Sequence, residues 1–317
     1  MKEISQLNIL NQLKDKIYLI AGDASPRKFY RYYNKRCLLV YCSKDRKKNL
    51  ENYCKINDFL NSKKIKAPIT IKKNIKENYI IIEDFGDNLI KKIIKKKKNK
   101  FLYFKKIINE LIKLQKIKSN KILPKYSEKL LVNELNLFYQ WYLPEFFSFK
   151  KIKEIKKKIN LILIKYIKQT LKFNKVFVHR DFHIENLMLS KGKICLIDNQ
   201  DAVIGHPVYD LMSLIDDVRI NLKKYDQDKI YSYYVQENKK IPKEFNFHFH
   251  VLSIQRLLKI LGIFLRLHRR DKKKKYLKYL TRTWKLIELR LNHQKLKDLN
   301  ELFKKYFTKD IRTKKWI

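Results

Sequence analysis

One stretch limits the fold more than any other: a small β-island set inside a helical region. Residues 176–198 carry three strand-like runs, Val176–Val178, Leu187–Leu189 and Ile194–Ile197, with Gly192 between the last two. A turn that short makes the second and third runs a hairpin. The loop before it lies within "VHRDFHIENLML" (178–189), where Asp181 and Asn186 stand five apart. The returning strand of the hairpin ends at Asp198. Loop and hairpin together therefore bring two carboxylates and an amide to one place.

The rest of the chain sorts into two regions. Strand-like runs at Ile17–Ala21, Lys28–Tyr33, Cys37–Tyr41, Ile69–Lys72 and Tyr79–Glu83 are interrupted by one charged helical stretch at 47–62. A further helical spacing covers 4–16. This order predicts an antiparallel sheet with one inserted helix. After a break at Asp84–Asp87, apolar spacing predicts helices over 88–97, 99–118, 126–141, 150–171, 208–220, 226–236, 248–269 and 273–293. The expected fold is α+β and bilobal, with a small antiparallel-sheet lobe over 1–86 and a larger, mostly helical lobe over 87–317. The chain has only five glycines. Gly22, Gly86, Gly192 and Gly205 fall at expected turns, and Gly262 alone falls inside an expected helix.

Charge singles out the same segment. The chain carries 75 Lys+Arg against 31 Asp+Glu, a net of +44, yet residues 181–217 hold seven acids and two bases. Lys, Ile and Asn share A/T-rich codons, so the overall excess is a weak guide to partners. The run Lys91–Lys100 is read as a solvated helix face, and no specific nucleic-acid partner is expected. Cys37, Cys42, Cys54 and Cys195 lack paired spacing and read as reduced thiols of a cytoplasmic protein. No signal peptide is expected, and the most apolar late stretch, Leu257–Leu267, is broken by Lys259 and Arg266, so no membrane span is expected. Oligomeric state is not legible.

Oxygen donors at 181, 186 and 198 suit Mg²⁺, a hard cation with short oxygen bonds. Phosphoryl transfer from ATP needs such an ion, a carboxylate to orient the accepting hydroxyl, and little covalent chemistry from the protein. His179-Arg180-Asp181-x4-Asn186 resembles the H-R-D-x-x-x-x-N catalytic loop of kinases. The string Asp181, His183, Asn186 is similar to the D-x-H-x-x-N of the aminoglycoside phosphotransferase and choline kinase family. "IDNQDAVIGHPVYDLMSL" (197–214) resembles more narrowly the bacterial anomeric kinases of N-acetylmuramate and N-acetylglucosamine in cell-wall recycling. So do "AGDASPRKFYRY" (21–32), "IIIEDFGDNLI" (80–90), "NELNLFYQWYL" (133–143) and "QRLLKILGIFLRLHRRD" (255–271).

The resemblance implies a protein-kinase-like fold and an ATP- and Mg²⁺-dependent sugar kinase. It implies that Asp181 accepts or orients the proton of the sugar hydroxyl and that Asn186 and Asp198 hold Mg²⁺·ATP. It places Gly22, Asp23, Ala24 and Ser25 over the phosphates, and the hinge residues Glu83, Asp84 and Phe85 at adenine. Substrate contacts are expected among Gln200, Asp201, Arg256 and His268. His179 and His183 are read as structural, Asp210 as a helix N-terminal charge, and Asp216 and Asp217 as ordinary helix carboxylates. Two departures stand out. The third strand, "CLLVY" (37–41), lacks the kinase lysine, which leaves the phosphate-binding cation unassigned. D-F-G becomes Asp198-Asn199-Gln200, which removes an aromatic packing contact. A kinase for choline or an aminoglycoside stays open, as does a non-catalytic nucleic-acid-binding protein.

Overall fold

The computed structural model describes residue 13 and residues 16–21, 27–43, 47–96, 99–118, 122–238 and 240–316. The helical spacing over 4–16 and the Gly22–Ser25 turn lie outside the described residues, apart from Leu13 and Lys16. The chain divides into two compact units: Met1–Leu114 with Asp181–Ala202, and Gln115–Arg180 with Val203–Ile317.

The first unit is built on an antiparallel sheet of β1 (Ile17–Ala21), β2 (Arg27–Tyr32), β3 (Cys37–Cys42), β4 (Thr70–Asn74) and β5 (Tyr79–Glu83), in the order β1-β2-β3-β5-β4. Helix α1 (Lys47–Ser62) lies between β3 and β4 in sequence. Alternation along β3 decides what each face packs against. Val40 and Cys42 meet Leu50, Tyr53 and Cys54 of α1, whereas Leu39 and Tyr41 pack on Tyr79 from the opposite face. All four cysteines are free and buried.

Helices α2 (Ile90–Lys96) and α3 (Phe101–Gln115) follow, and the hairpin of β7 (Leu187–Ser190) and β8 (Lys193–Leu196) completes this unit. The boundary expected after residue 86 marks the end of the sheet but not of the compact unit. Main-chain bonds explain the difference. Leu189 N–H donates to Asn88 C=O (2.9 Å), Leu196 N–H to Lys66 C=O (2.9 Å), and Lys91 N–H to Ile184 C=O (3.1 Å). Phe85 packs with Met188 and Cys195. The Asp181–Asn186 loop and its hairpin are thus fastened to the chain around Lys66 and Phe85–Lys91. Of the basic run, Ile90 and Ile94 are buried on α2, and Lys91 pairs with Glu185.

The second unit gathers around α8 (Phe245–Arg269), which packs on α4 (Glu128–Leu137), α5 (Phe149–Leu171), α6 (Val208–Ile215) and α9 (Leu280–Leu291). Helix α7 (Lys224–Glu237) precedes α8. Helix α4 starts at Ser127, whose hydroxyl accepts from the Leu130 N–H at 3.2 Å. It ends in a π-helical turn, Phe138–Tyr142. Gly262 of α8 sits against that turn, and a Cβ there would lie 2.3 Å from the Leu137 carbonyl. Close approach of the two backbones accounts for a glycine inside a helix. By length and composition alone α8 could cross a membrane, but 83% of its apolar window is buried within the fold.

Three elements escaped the sequence reading. Strand β9 (Val203–Gly205) pairs antiparallel with β6 (Val176–Val178), Val176 opposite Gly205. Helices α10 (Lys297–Tyr306) and α11 (Lys309–Thr313) end the chain. The helix expected over 273–293 is a 3₁₀ turn, Lys274–Tyr279, followed by α9.

Candidate active site

The loop from Asp181 to Asn186 is closed by its own hydrogen bonds. His183 N–H donates to Asp181 C=O (3.0 Å), and Asn186 N–H donates to His183 C=O (2.8 Å). The Asn186 side-chain amide donates to the same Asp181 carbonyl at 3.0 Å. The hairpin register, Leu187 opposite Leu196, continues with Ile197 N–H donating to Asn186 C=O (3.1 Å). Asp198 follows at once, in the left-handed region at φ 68°. A non-glycine residue there is uncommon and costs energy, a feature that clusters at functional sites. Asp181, Asn186 and Asp198 are partly exposed, whereas Phe182, His183, Leu196 and Asn199 are buried. The loop thus buries its packing residues and leaves its oxygen donors accessible.

Arg27, at the start of β2, reaches this end of the hairpin. Its guanidinium is buried, pairs with Asp198 and donates to Gln200 Oε1 at 2.7 Å. Its centre lies 4.9 Å from the Tyr53 ring on α1, a cation–π contact. Gln200 donates in turn to Asp201 (2.8 Å). The Asn199 amide, where kinases carry the D-F-G aromatic, donates to Asn57 of α1 at 2.9 Å and to Leu196 C=O at 3.1 Å. Both asparagines are fully buried. A polar latch therefore stands in place of the aromatic contact.

The residues expected at the hinge, Glu83, Asp84 and Phe85, are braced as well. Lys66 donates to both Glu83 oxygens, at 2.9 and 2.7 Å, and stands 5.3 Å over the Phe85 ring. Arg31 holds Asp84 at 2.6 Å and Asp87 at 2.9 Å. It also donates to the carbonyl of Gly86, whose φ of 79° suits a glycine. Backbone N–H groups of Glu83, Asp84 and Gly86 are bonded to Ile69, Arg36 and the Asp84 carboxylate, respectively.

In the second unit, Asp210 is fully buried on α6. Its carboxylate accepts from the N–H groups of His179 (2.7 Å) and Arg180 (3.1 Å). Asp210 stands in the first turn of α6, as expected of a helix N-terminal charge, and it also fixes the chain just before Asp181. Arg180 itself has φ 73° and pairs with buried Glu134, which also accepts from Lys259 at 2.8 Å and from the Tyr126 hydroxyl at 2.6 Å. Burial pushes the Glu134 carboxyl up, but Lys259 and Arg180 outweigh it and hold the group down at about 2. Asp216 and Asp217 are not ordinary helix carboxylates. Both are buried, Asp216 in a two-pronged pair with Arg290 (2.6 and 2.9 Å) and Asp217 with Arg219 (3.1 Å). Arg256 is 4% exposed on α8, and its Nη1 has no hydrogen-bond partner among the described residues. His268, in the last turn of α8, has a buried Nδ1 in the same condition.

Residues 16–235 match the family model described as the phosphotransferase enzyme family. The chain belongs to that family. It is 28% identical over 272 residues to an N-acetylmuramate/N-acetylglucosamine kinase of Neisseria meningitidis serogroup B, covering 81% of this chain and 80% of the relative. It is 26% identical over 294 residues to a Pseudomonas aeruginosa protein of the same name, covering 89% of this chain and 86% of that one. The fold is similar to that of an ADP-bound aminoglycoside phosphotransferase, with TM-score 0.65 and 14% identity over 96% of this chain and 99% of that one. A choline kinase of Streptococcus pneumoniae gives 0.62 and 14%, over 88% and 97%.

This phosphotransferase therefore has the protein-kinase-like fold that its sequence implies, and it is a kinase with an alcohol group as acceptor. No group of three His, Cys, Asp or Glu side chains suited to a metal exists among the described residues. Mg²⁺ fits the residues present all the same. It is commonly held by one or two protein oxygens together with substrate phosphates and waters. The Asn186 amide nitrogen is committed to Asp181 C=O, so Oδ1 is the atom that could meet such an ion, and Arg27 takes one oxygen of Asp198.

Sequence reasoning missed Arg27 in the phosphotransferase because it began the second strand at Lys28. The signal was available. Arg27 shares its strand face with Phe29, which packs against the core formed by Val40 and Cys42.

Proposed function

We propose that this enzyme transfers the γ-phosphoryl group of ATP to the hydroxyl of an amino sugar, with the anomeric hydroxyl of N-acetylmuramate or N-acetylglucosamine as acceptor. The observation that carries the reading is the convergence of Asp181, Asn186 and Asp198 at one end of the β7–β8 hairpin, in a chain whose curated relatives bear that name. The sugar oxygen forms a bond to the γ-phosphorus as the bond to the bridging oxygen of ADP breaks. Asp181 orients the hydroxyl and takes its proton. Asn186 and Asp198 hold Mg²⁺, which, when bound, neutralises charge on the phosphates. Glu83–Phe85 offers adenine its backbone; the Phe85 N–H is the one in 83–86 not committed in the bonds described above. The Gly22–Ser25 turn would cover the phosphates. A sugar of this kind arises from peptidoglycan, which would place the enzyme in cell-wall recycling in the cytoplasm.

N-acetylmuramate carries a lactyl carboxylate, and Arg256 is the residue suited to it. A buried guanidinium with an unpartnered Nη1 is costly unless an anion meets it. Gln200 and Asp201 brace Arg27 rather than offering an anion a partner.

The test is ADP release with a panel of sugars, choline and aminoglycosides, with NMR of the product. Mg²⁺-dependent turnover of the N-acetylated amino sugars, with phosphate on the anomeric carbon, is expected. Turnover confined to choline or aminoglycosides would overturn the reading. In the same panel, Arg256→Met should lower kcat/KM for N-acetylmuramate by roughly 30-fold, the scale of a lost buried charge contact. N-acetylglucosamine, which lacks the carboxylate, should change by less than about threefold. Equal losses for both sugars would remove Arg256 from carboxylate recognition.

A further inference from the structure

Kinases bind nucleotide phosphates with a lysine on the third strand, itself held by a glutamate of the helix that follows. Neither half of that pair stands on the described β3 and α1. Strand β3, Cys37–Cys42, has no lysine. The two carboxylates of α1, Glu51 and Asp58, are both exposed, while its inner face carries Tyr53, Cys54 and Asn57. Lys28, Lys72 and Lys73 are exposed and Arg31 is engaged at the hinge, so Arg27 is the one buried cation of the described sheet strands.

We propose that Arg27 is the phosphate-binding cation of this enzyme, supplied from β2 in place of the β3 lysine, and that its pair with Asp198 is a resting contact which Mg²⁺·nucleotide exchanges. The assignment rests on the nucleotide site proposed above. Its first support is position. Arg27 lies against the residue read as a metal ligand, so the Arg27 charge faces the place where phosphates would meet the ion. The second is rigidity. Tyr53 stacks on the guanidinium and Gln200 takes Nη1, which fixes the group without a competing carboxylate from α1. That leaves Nη2, the atom now on Asp198, as the one to change partners. Nη2 of a guanidinium held in place in this way can then donate a charge-assisted bond to a phosphate oxygen. Asp198, released, turns both oxygens to the metal.

Arg27 and a free divalent ion therefore compete for Asp198, whereas Arg27 and nucleotide phosphate cooperate. This gives a crossed signature that a merely structural residue would not produce. The experiment measures, on the full chain, binding of Mn²⁺ alone by electron paramagnetic resonance, and of MgADP and adenosine by calorimetry. In Arg27→Met, Mn²⁺ alone should bind at least about threefold more tightly, since Asp198 has lost its counter-charge. MgADP should bind roughly 30-fold more weakly, and adenosine within about twofold of wild type. Equal weakening of MgADP and adenosine, or unchanged MgADP affinity, would overturn the proposal. If Arg27→Met does not fold, Arg27→Lys carries the test. It keeps the charge but not the planar group that Gln200 and Tyr53 hold in place, so MgADP should weaken about fivefold with adenosine unchanged; full retention of MgADP affinity would overturn the assignment. Wild type failing to bind MgADP would instead sink the nucleotide site itself. Sugar turnover enters none of these measurements, so failure here is separable from a wrong sugar.

Discussion

Asp181→Asn should lower kcat by about a thousandfold or more while leaving MgADP affinity within about threefold of wild type. Asparagine has nearly the same shape, so the test isolates charge and basicity. The loop contacts that shape the site involve the Asp181 carbonyl, which accepts from His183 N–H and from the Asn186 amide. Those bonds survive the substitution. The loss falls on proton acceptance and on orientation of the attacking hydroxyl, which together are worth several powers of ten. Single-turnover measurement with saturating ATP and sugar separates this from a binding defect. A kcat within tenfold of wild type would mean that Asp181 is not the group that handles the sugar hydroxyl.

The largest effect on stability is expected at Glu134. Glu134→Gln should cost about 3–5 kcal/mol at pH 7, because it removes the buried carboxylate that pairs with both Arg180 and Lys259. Tyr126 and Gln255 can still bond the amide oxygen, so the loss reports charge rather than shape. The pH dependence has a definite sign. The Glu134 carboxyl is held at about 2, below its usual 4.5, so its contribution is complete above about pH 4.5 and disappears as pH falls toward 2. His250 acts in a higher window. Burial holds its imidazole at about 4, against 6.5 when unfolded, so its neutral form stabilises the fold above pH 6.5 and that contribution is lost between 6.5 and 4. Urea denaturation from pH 7 down to 3 should show both declines in wild type and only the upper one in Glu134→Gln. A cost below 1 kcal/mol at pH 7, or an unchanged lower window, would contradict the buried-ion account of this network.

The sheet and most helices were legible because their signals are local. Val40 and Cys42 alternate with Leu39 and Tyr41, and α1 repeats Leu50, Tyr53, Cys54 and Asn57 on one face. Order along the loop and hairpin also put the Asp181–Asn186 loop beside the strand end that leads to Asp198. What was not legible depends on partners far away in sequence. The acidic surplus over 181–217 has two causes, and composition cannot part them. Asp181 and Asp198 stand at the candidate site. Asp210 is spent on two backbone N–H groups and Asp216 on Arg290, 74 residues away. Strand β9 is three residues long and gains its identity only from β6, more than 20 residues upstream. Arg27 was hidden by a one-residue error at a strand end, where pattern reading is weakest.

The cradle at the end of the hairpin can be tested without any sugar. A crystal of the full chain grown with Mn²⁺ and a non-hydrolysable ATP analogue would locate the ion by its anomalous signal. The expected position is within about 2.3 Å of both Asn186 Oδ1 and an Asp198 oxygen, with phosphate oxygens completing the shell. An ion and nucleotide bound elsewhere, with both side chains beyond coordination distance, would contradict it.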